Sequence, residues 1–179
     1  GLRVALAPGT AYPGFGVDPQ IFIWAFAWWP HAILGGHGPV VSHAVWAPDG
    51  VNLAWVTSVP GLALAFAPLT LLAGPVASYA VAAVLMPALA AWTAFLLCRH
   101  LTRRTWPALV GGYLFGFSSY MLGQLQGHLN LTSVFLLPLV ALVCLRYLAG
   151  ELDGRRLVVR LSPLLALQVT FSTEVAFTL

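Results

Sequence analysis

Long apolar runs separated by short polar connections rich in arginine set the pattern of the chain. A helix needs about 20 apolar residues to cross ~30 Å of hydrocarbon. Val76 to Cys98 supplies 23 residues without a charge, closed by Arg99-His100-Leu101-Thr102-Arg103-Arg104. A second run, Leu129 to Leu145, ends at Arg146 and the polar stretch Gly150 to Arg156. A third begins near Leu157 and continues to the end of the chain, and Pro107 to Met121 reads as a short, tilted span. The pattern therefore predicts about four spans within residues 76–179, the last one truncated.

The arginines orient these spans. Arg99, Arg103 and Arg104 lie on one connection, and Arg146, Arg155 and Arg156 on another. Two spans separate the connections, so both face the cytoplasm under the preference for positive loops on that side. The Gly123 to His128 connection then faces outward, as do the residues before Val76. Pro60 to Ala73 is an apolar run of 14 residues, about 21 Å as a helix and too short to cross. Counting it as a span would also place both arginine clusters outside. It is expected to be a juxtamembrane or re-entrant helix, and residues 1–75 one long outer region.

Within that region Asp18-Pro19 signals a helix start, with Asp as N-cap and Pro at the first helical position. Gln20, Trp24, Trp28 and His31 follow at i, i+4, i+8 and i+11, which places them on one face. Tryptophan suits the headgroup level, where its ring is apolar and its edge donates a hydrogen bond. An amphipathic helix lying in the outer interface is expected. Gly35-Gly36-His37-Gly38-Pro39 and Trp46-Ala47-Pro48-Asp49-Gly50 are turn signals.

Composition narrows the function classes. Hydrophobic residues make up 60% of the chain and charged residues 7%, against about 25% charged in soluble domains. A soluble enzyme, a disordered linker and a nucleic-acid binder are excluded. All eight basic residues are Arg and the net charge is +3, which is a topology signal when the charges sit at span ends. Cys98 and Cys144 form no disulfide or metal pattern. His31, His37 and His43 show no paired ligand spacing, so no metal site is assigned, although a divalent ion is an open expectation. The chain opens at Gly1 and stops at Leu179 inside an apolar run, and is expected to be the amino-terminal part of a longer protein.

Asp18-Pro19-Gln20, the Trp24 to Trp29 segment, Pro48-Asp49-Gly50, Pro60 to Pro75 and the Gly127-His128 pair together resemble the amino-terminal part of the GT-C superfamily. These are multi-spanning glycosyltransferases that use polyprenyl-phosphate-linked sugars. The paired acidic motif of many members is absent here, since Gly16 and Gln20 flank Asp18. The resemblance implies an all-α polytopic transmembrane bundle with juxtamembrane helices in a long first outer loop. It implies transfer of a sugar from a polyprenyl-phosphate donor to an acceptor outside the cell membrane, with membrane lipids as neighbours and no nucleic acid.

On that reading Asp18 is the catalytic base, because a transfer of this kind needs a carboxylate near the sugar carbon. Glu174 is the second catalytic acid, expected about 21 Å into the last span beyond Arg160. Gln20, Trp24, Trp28, His31 and His128 would bind substrate, His128 by donating to the lipid phosphate. Plainer roles stand beside these: Asp18 as a helix cap, Glu174 as a helix-to-helix hydrogen-bonding group, His128 as a polar loop residue. Two other classes also fit the pattern. A transporter or lipid flippase would use Glu174 and the proline-interrupted helices at Pro87 and Pro138; a noncatalytic membrane subunit would use neither.

Overall fold

The computed structural model describes residues 11–179. These residues are mostly helical, with a single short hairpin among them, in agreement with the all-α expectation. Two of the helical segments are long and apolar enough to cross a membrane: Pro75–Thr102 and Leu129–Leu148. The chain divides into two compact units, one ending at Ala82 and the other running from Ala83 to Leu179.

The first unit is built on α1 (Asp18–Leu34). Val17 takes the N-cap position and Asp18 is the first helical residue, so the helix begins one place earlier than the sequence suggests. A carboxylate in the first turn is still favoured by the exposed N–H groups there. The helix buries Phe22, Ala25, Phe26 and Trp29 along one stripe. A short hairpin follows, β1 (Val41–Ser42) paired antiparallel with β2 (Val51–Asn52), with Val41 opposite Asn52. Its connection contains the expected Asp49-Gly50 turn, where Gly50 adopts φ 78 and its N–H donates to the Trp46 carbonyl at 2.8 Å.

The Pro60 to Ala73 run is not one helix but two, α2 (Pro60–Ala65) and α3 (Ala67–Ala73), broken at Phe66. The break turns the Phe66 ring onto Phe26, edge to face at 5.7 Å. Ring packing of this kind adds roughly 0.5–1.5 kcal/mol beyond area burial, which offsets the interrupted ladder. The Trp29 indole N–H donates to the Ser58 carbonyl at 3.0 Å and the Ser58 hydroxyl to the Leu53 carbonyl at 3.1 Å. Those bonds fix the loop between hairpin and helices against α1. Gly74, at φ 86, ends α3 and lets Pro75 open the long helix α4 (Pro75–Thr102). Thr70 and Ser78 share a buried hydroxyl–hydroxyl bond of 2.8 Å across that junction.

In the second unit, residues after α4 depart from the expected spans. The Pro107 to Met121 run becomes α5 (Thr105–Gly116) and α6 (Ser119–Gln124). At 12 residues, α5 is about 18 Å long and too short to cross alone. Its glycines face α4. A Cβ on Gly112 would lie 2.6 Å from the Ala91 carbonyl, and one on Gly116 would lie 2.5 Å from the Ala91 Cβ and 2.6 Å from the Pro87 carbonyl. Gly112 and Gly116 are a small-xxx-small pair, the spacing that lets helix backbones touch where water supplies no driving force.

The Leu129–Leu148 segment is itself interrupted, as α7 (Leu129–Thr132) and α8 (Leu136–Leu148). Gln168 donates its amide to the Ser133 carbonyl at 3.1 Å, supplying a partner at the break. The residues of the last expected span form α9 (Gly154–Phe171), which is not one of the two segments apolar enough to cross and is capped by Asp153 through a 2.7 Å bond from the Arg156 N–H. It carries Arg155, Arg156 and Arg160 in its first two turns and ends at Phe171. A final turn, α10 (Thr173–Ala176), is capped by Ser172. Ala90, Met121, Val134 and Val175 form the core that joins α4, α6, the α7–α8 break and α10.

Gly116→Val is expected to destabilise the protein by about 1–3 kcal/mol, read as a lower unfolding midpoint in detergent. Gly123→Ala, which meets nothing within 4 Å, is expected to leave the midpoint unchanged or slightly raised.

Candidate functional site

Helix periodicity in α1 gathers most of the residues singled out from sequence. Trp24 and Trp28 stack at 5.5 Å with 10° between their planes, and Trp28 meets the His31 ring at 6.4 Å. Gln20 and His31 are exposed at the two ends of this face, opposite the buried stripe. The Trp28 indole N–H is bound to the Pro39 carbonyl at 2.9 Å, which fixes the ring and leaves its face to act as a flat apolar surface. Asp18 is half-buried at the start of the same helix. Its charge lies within electrostatic range of Tyr79. Tyr79 packs edge to face on Tyr12 at 5.9 Å and stacks on Phe22 at 6.5 Å. The first unit thus presents a carboxylate within electrostatic range of Tyr79, and a stacked indole pair two turns along the helix.

The second unit holds Glu174 and His128. Glu174 is not within the long helix expected to carry it: α9 stops at Phe171, Ser172 is extended, and Glu174 stands exposed in the first turn of α10. The serine cap ends the long helix because its hydroxyl accepts from the Val175 N–H at 3.2 Å and starts a new one. Asn130, buried on α7, donates its side-chain amide to the Glu174 carboxylate. His128 is the N-cap residue of α7, two positions before Asn130. Tyr120 lies within electrostatic range of Glu174 and donates its hydroxyl to the Leu131 carbonyl at 3.2 Å. Beside this group an apolar pocket of about 390 Å³ is lined by Leu114, Phe115, Tyr120, Met121, Val134 and Val175 among others.

Sequence reasoning passed over Tyr79, Asn130 and Gln168. Tyr79 lies in an apolar run, where a lone aromatic carries no signal. Asn130 lies near the start of the Leu129 to Leu145 run, where a single amide carries no site signal. Gln168 was the stronger missed cue, a fully buried amide in an apolar helix that demands partners. Among the described residues no group of three or more His, Cys, Asp or Glu is close enough to hold a metal ion.

The two arginine-bearing connections meet. Glu151 accepts from Arg146 at 2.9 Å and lies 3.9 Å from Arg103, bridging the connection after α8 to the one after α4. The Arg146 hydrogen bond holds the Glu151 carboxyl below its ordinary value, and the charges of His100 and Arg103 act in the same direction.

A family model described as "Domain of unknown function (DUF6311)" matches residues 13–173. No curated protein and no solved structure matches the chain.

The Asn130–Glu174 bond is expected to appear as coupling in a double-mutant cycle of Asn130→Ala and Glu174→Ala. Bonds to a charged group contribute about 1.5–3 kcal/mol, and unfolding midpoints of the four proteins in detergent measure the coupling. Additive losses would contradict the contact.

Proposed function

We propose that this chain, which belongs to the family described as a domain of unknown function (DUF6311), is part of a polytopic membrane glycosyltransferase. It moves a sugar from a polyprenyl-phosphate donor to an acceptor on the outer side of the membrane. The observation that carries the reading is the α1 face: a half-buried carboxylate at the helix start, followed by stacked Trp24 and Trp28 and by His31. A flat indole surface suits the apolar face of a sugar ring or a prenyl chain, and the carboxylate suits a hydroxyl acceptor.

In the reaction, the Asp18 carboxylate takes the proton of the acceptor hydroxyl as that oxygen bonds to the anomeric carbon. The bond from that carbon to the lipid phosphate breaks, and the phosphate leaves with the electron pair. Gln20 and His31 position polar groups of donor or acceptor along the indole face.

The topology follows the arginines. Pro75–Thr102 crosses inward and the segment ending at Leu148 crosses inward again. Residues 105–124 must carry the chain back out between them, about 30 Å for 20 helical residues, as a span broken at Phe117-Ser118. The Glu151 bridge supports one shared side for both arginine connections.

One observation favours a transporter or flippase instead. The Leu129–Leu148 segment is discontinuous, with Thr132, Ser133 and Gln168 buried at the break. Broken helices with buried polar groups form substrate sites in secondary transporters.

Asp18→Asn in the full-length protein separates the readings. Turnover of polyprenyl-phosphate sugars in membranes is expected to fall about 10²- to 10⁴-fold, the range for a lost general base, at wild-type protein level. Retained turnover removes Asp18 from the role of base.

A further inference from the structure

A second pocket, of about 390 Å³, lies where α4 and α8 end, lined by Arg99, His100, Arg103 and Arg146 over Leu96 and Leu142. Two of its arginines are tethered by hydrogen bonds. Arg99 donates to the Thr105 hydroxyl at 2.8 Å, Arg146 to Glu151 at 2.9 Å, and Arg103 faces the same carboxylate. Three arginines against one glutamate leave a net charge of about +2 around the pocket, apart from His100. Arg103 adds a separate cue. It follows the last residue of α4 at φ 58, the left-handed position where helices ordinarily place glycine. An arginine there is conformationally costly, yet its guanidinium reaches the pocket rim.

We propose that this pocket binds the phosphate of an anionic membrane lipid. Arginine guanidiniums match phosphate oxygens in geometry as well as in charge. The floor is apolar: Leu96 and Leu142 belong to the two membrane-length segments, so an acyl chain has a surface to follow downward from the headgroup. A free phosphate uses the same arginines but gains nothing from the leucines. Basic pockets between membrane helices on the cytoplasmic side are the setting in which lipid headgroups bind specifically. The site is independent of the sugar-transfer reading and sits with the arginines rather than with Asp18.

The test uses the purified full chain in neutral detergent, titrated with dioctanoyl-phosphatidylglycerol and followed by native mass spectrometry. Arg103→Gly removes one cation while placing at φ 58 the residue that fits it, and Arg146→Gln removes another. Each is expected to weaken binding about fivefold, the loss of one basic residue at an anionic headgroup. Arg155→Gln and Arg160→Gln, which line a separate pocket with Asp153, are expected to leave binding unchanged. Excess inorganic phosphate is expected not to displace the lipid, and dioctanoyl-phosphatidylcholine to bind more weakly. Equal losses at Arg155 or Arg160 would reduce the site to diffuse surface attraction and overturn the proposal. Displacement by inorganic phosphate would overturn the lipid assignment, and unaltered binding in both Arg103→Gly and Arg146→Gln would overturn the pocket itself.

Discussion

The second unit depends on a contact between bare backbones. Gly112 and Gly116 let α5 lie against α4 at Ala91 and Pro87, with no room for a methyl group between them. In lipid the hydrophobic effect does not press helices together, so close packing and hydrogen bonds must do so. From this contact the chain leaves α5 at Phe117 and enters α6 under a Ser118 cap. Met121 then reaches the core with Ala90, Val134 and Val175. That core sits under the α7 turn and the α10 turn, and so under the Asn130–Glu174 bond. A side chain at Gly116 would shift α5 first and the Glu174 group with it.

Polar groups in this chain mark where the apolar helices stop. Ser118, Asp153 and Ser172 each accept a backbone N–H three residues on and each begins a helix. Gln168 meets the Ser133 carbonyl where the Leu129–Leu148 segment breaks. Such bonds are worth about 1 kcal/mol each in water, but a backbone group left unpaired in hydrocarbon costs several times that. The breaks are therefore specified by side chains, and the polar residues beside them are the ones available for chemistry.

The sequence made the helical class, the two long apolar segments and the shared α1 face legible, because each rests on composition or on a 3.6-residue period. Proline opens two helices, at Pro60 and at Pro75, because it suits the first turn. The breaks at Phe66 and Phe117 were not legible. Neither position carries a proline or glycine of its own, and the Phe66 break is stabilised by a ring contact with Phe26, forty residues earlier in sequence. Glu174 was misplaced for a related reason. No proline or glycine follows Phe171 to mark an end, and the helix stops at extended Ser172, whose hydroxyl accepts from Val175 N–H and starts a new turn. Asp18 was off by one residue, the usual uncertainty at a helix end. The partners Tyr79 and Asn130 come from other elements and no local pattern announces them.

The proposed topology puts the arginine connections on one side of a membrane and the aromatic outer region on the other. Cysteine labelling of the full-length protein in sealed vesicles tests this most directly. Asp49→Cys and Arg155→Cys, both at exposed positions, would each be introduced singly after replacing Cys98 and Cys144 with alanine. An impermeant maleimide is predicted to reach the two positions from opposite sides of the membrane. Labelling of both from the same side would contradict the account.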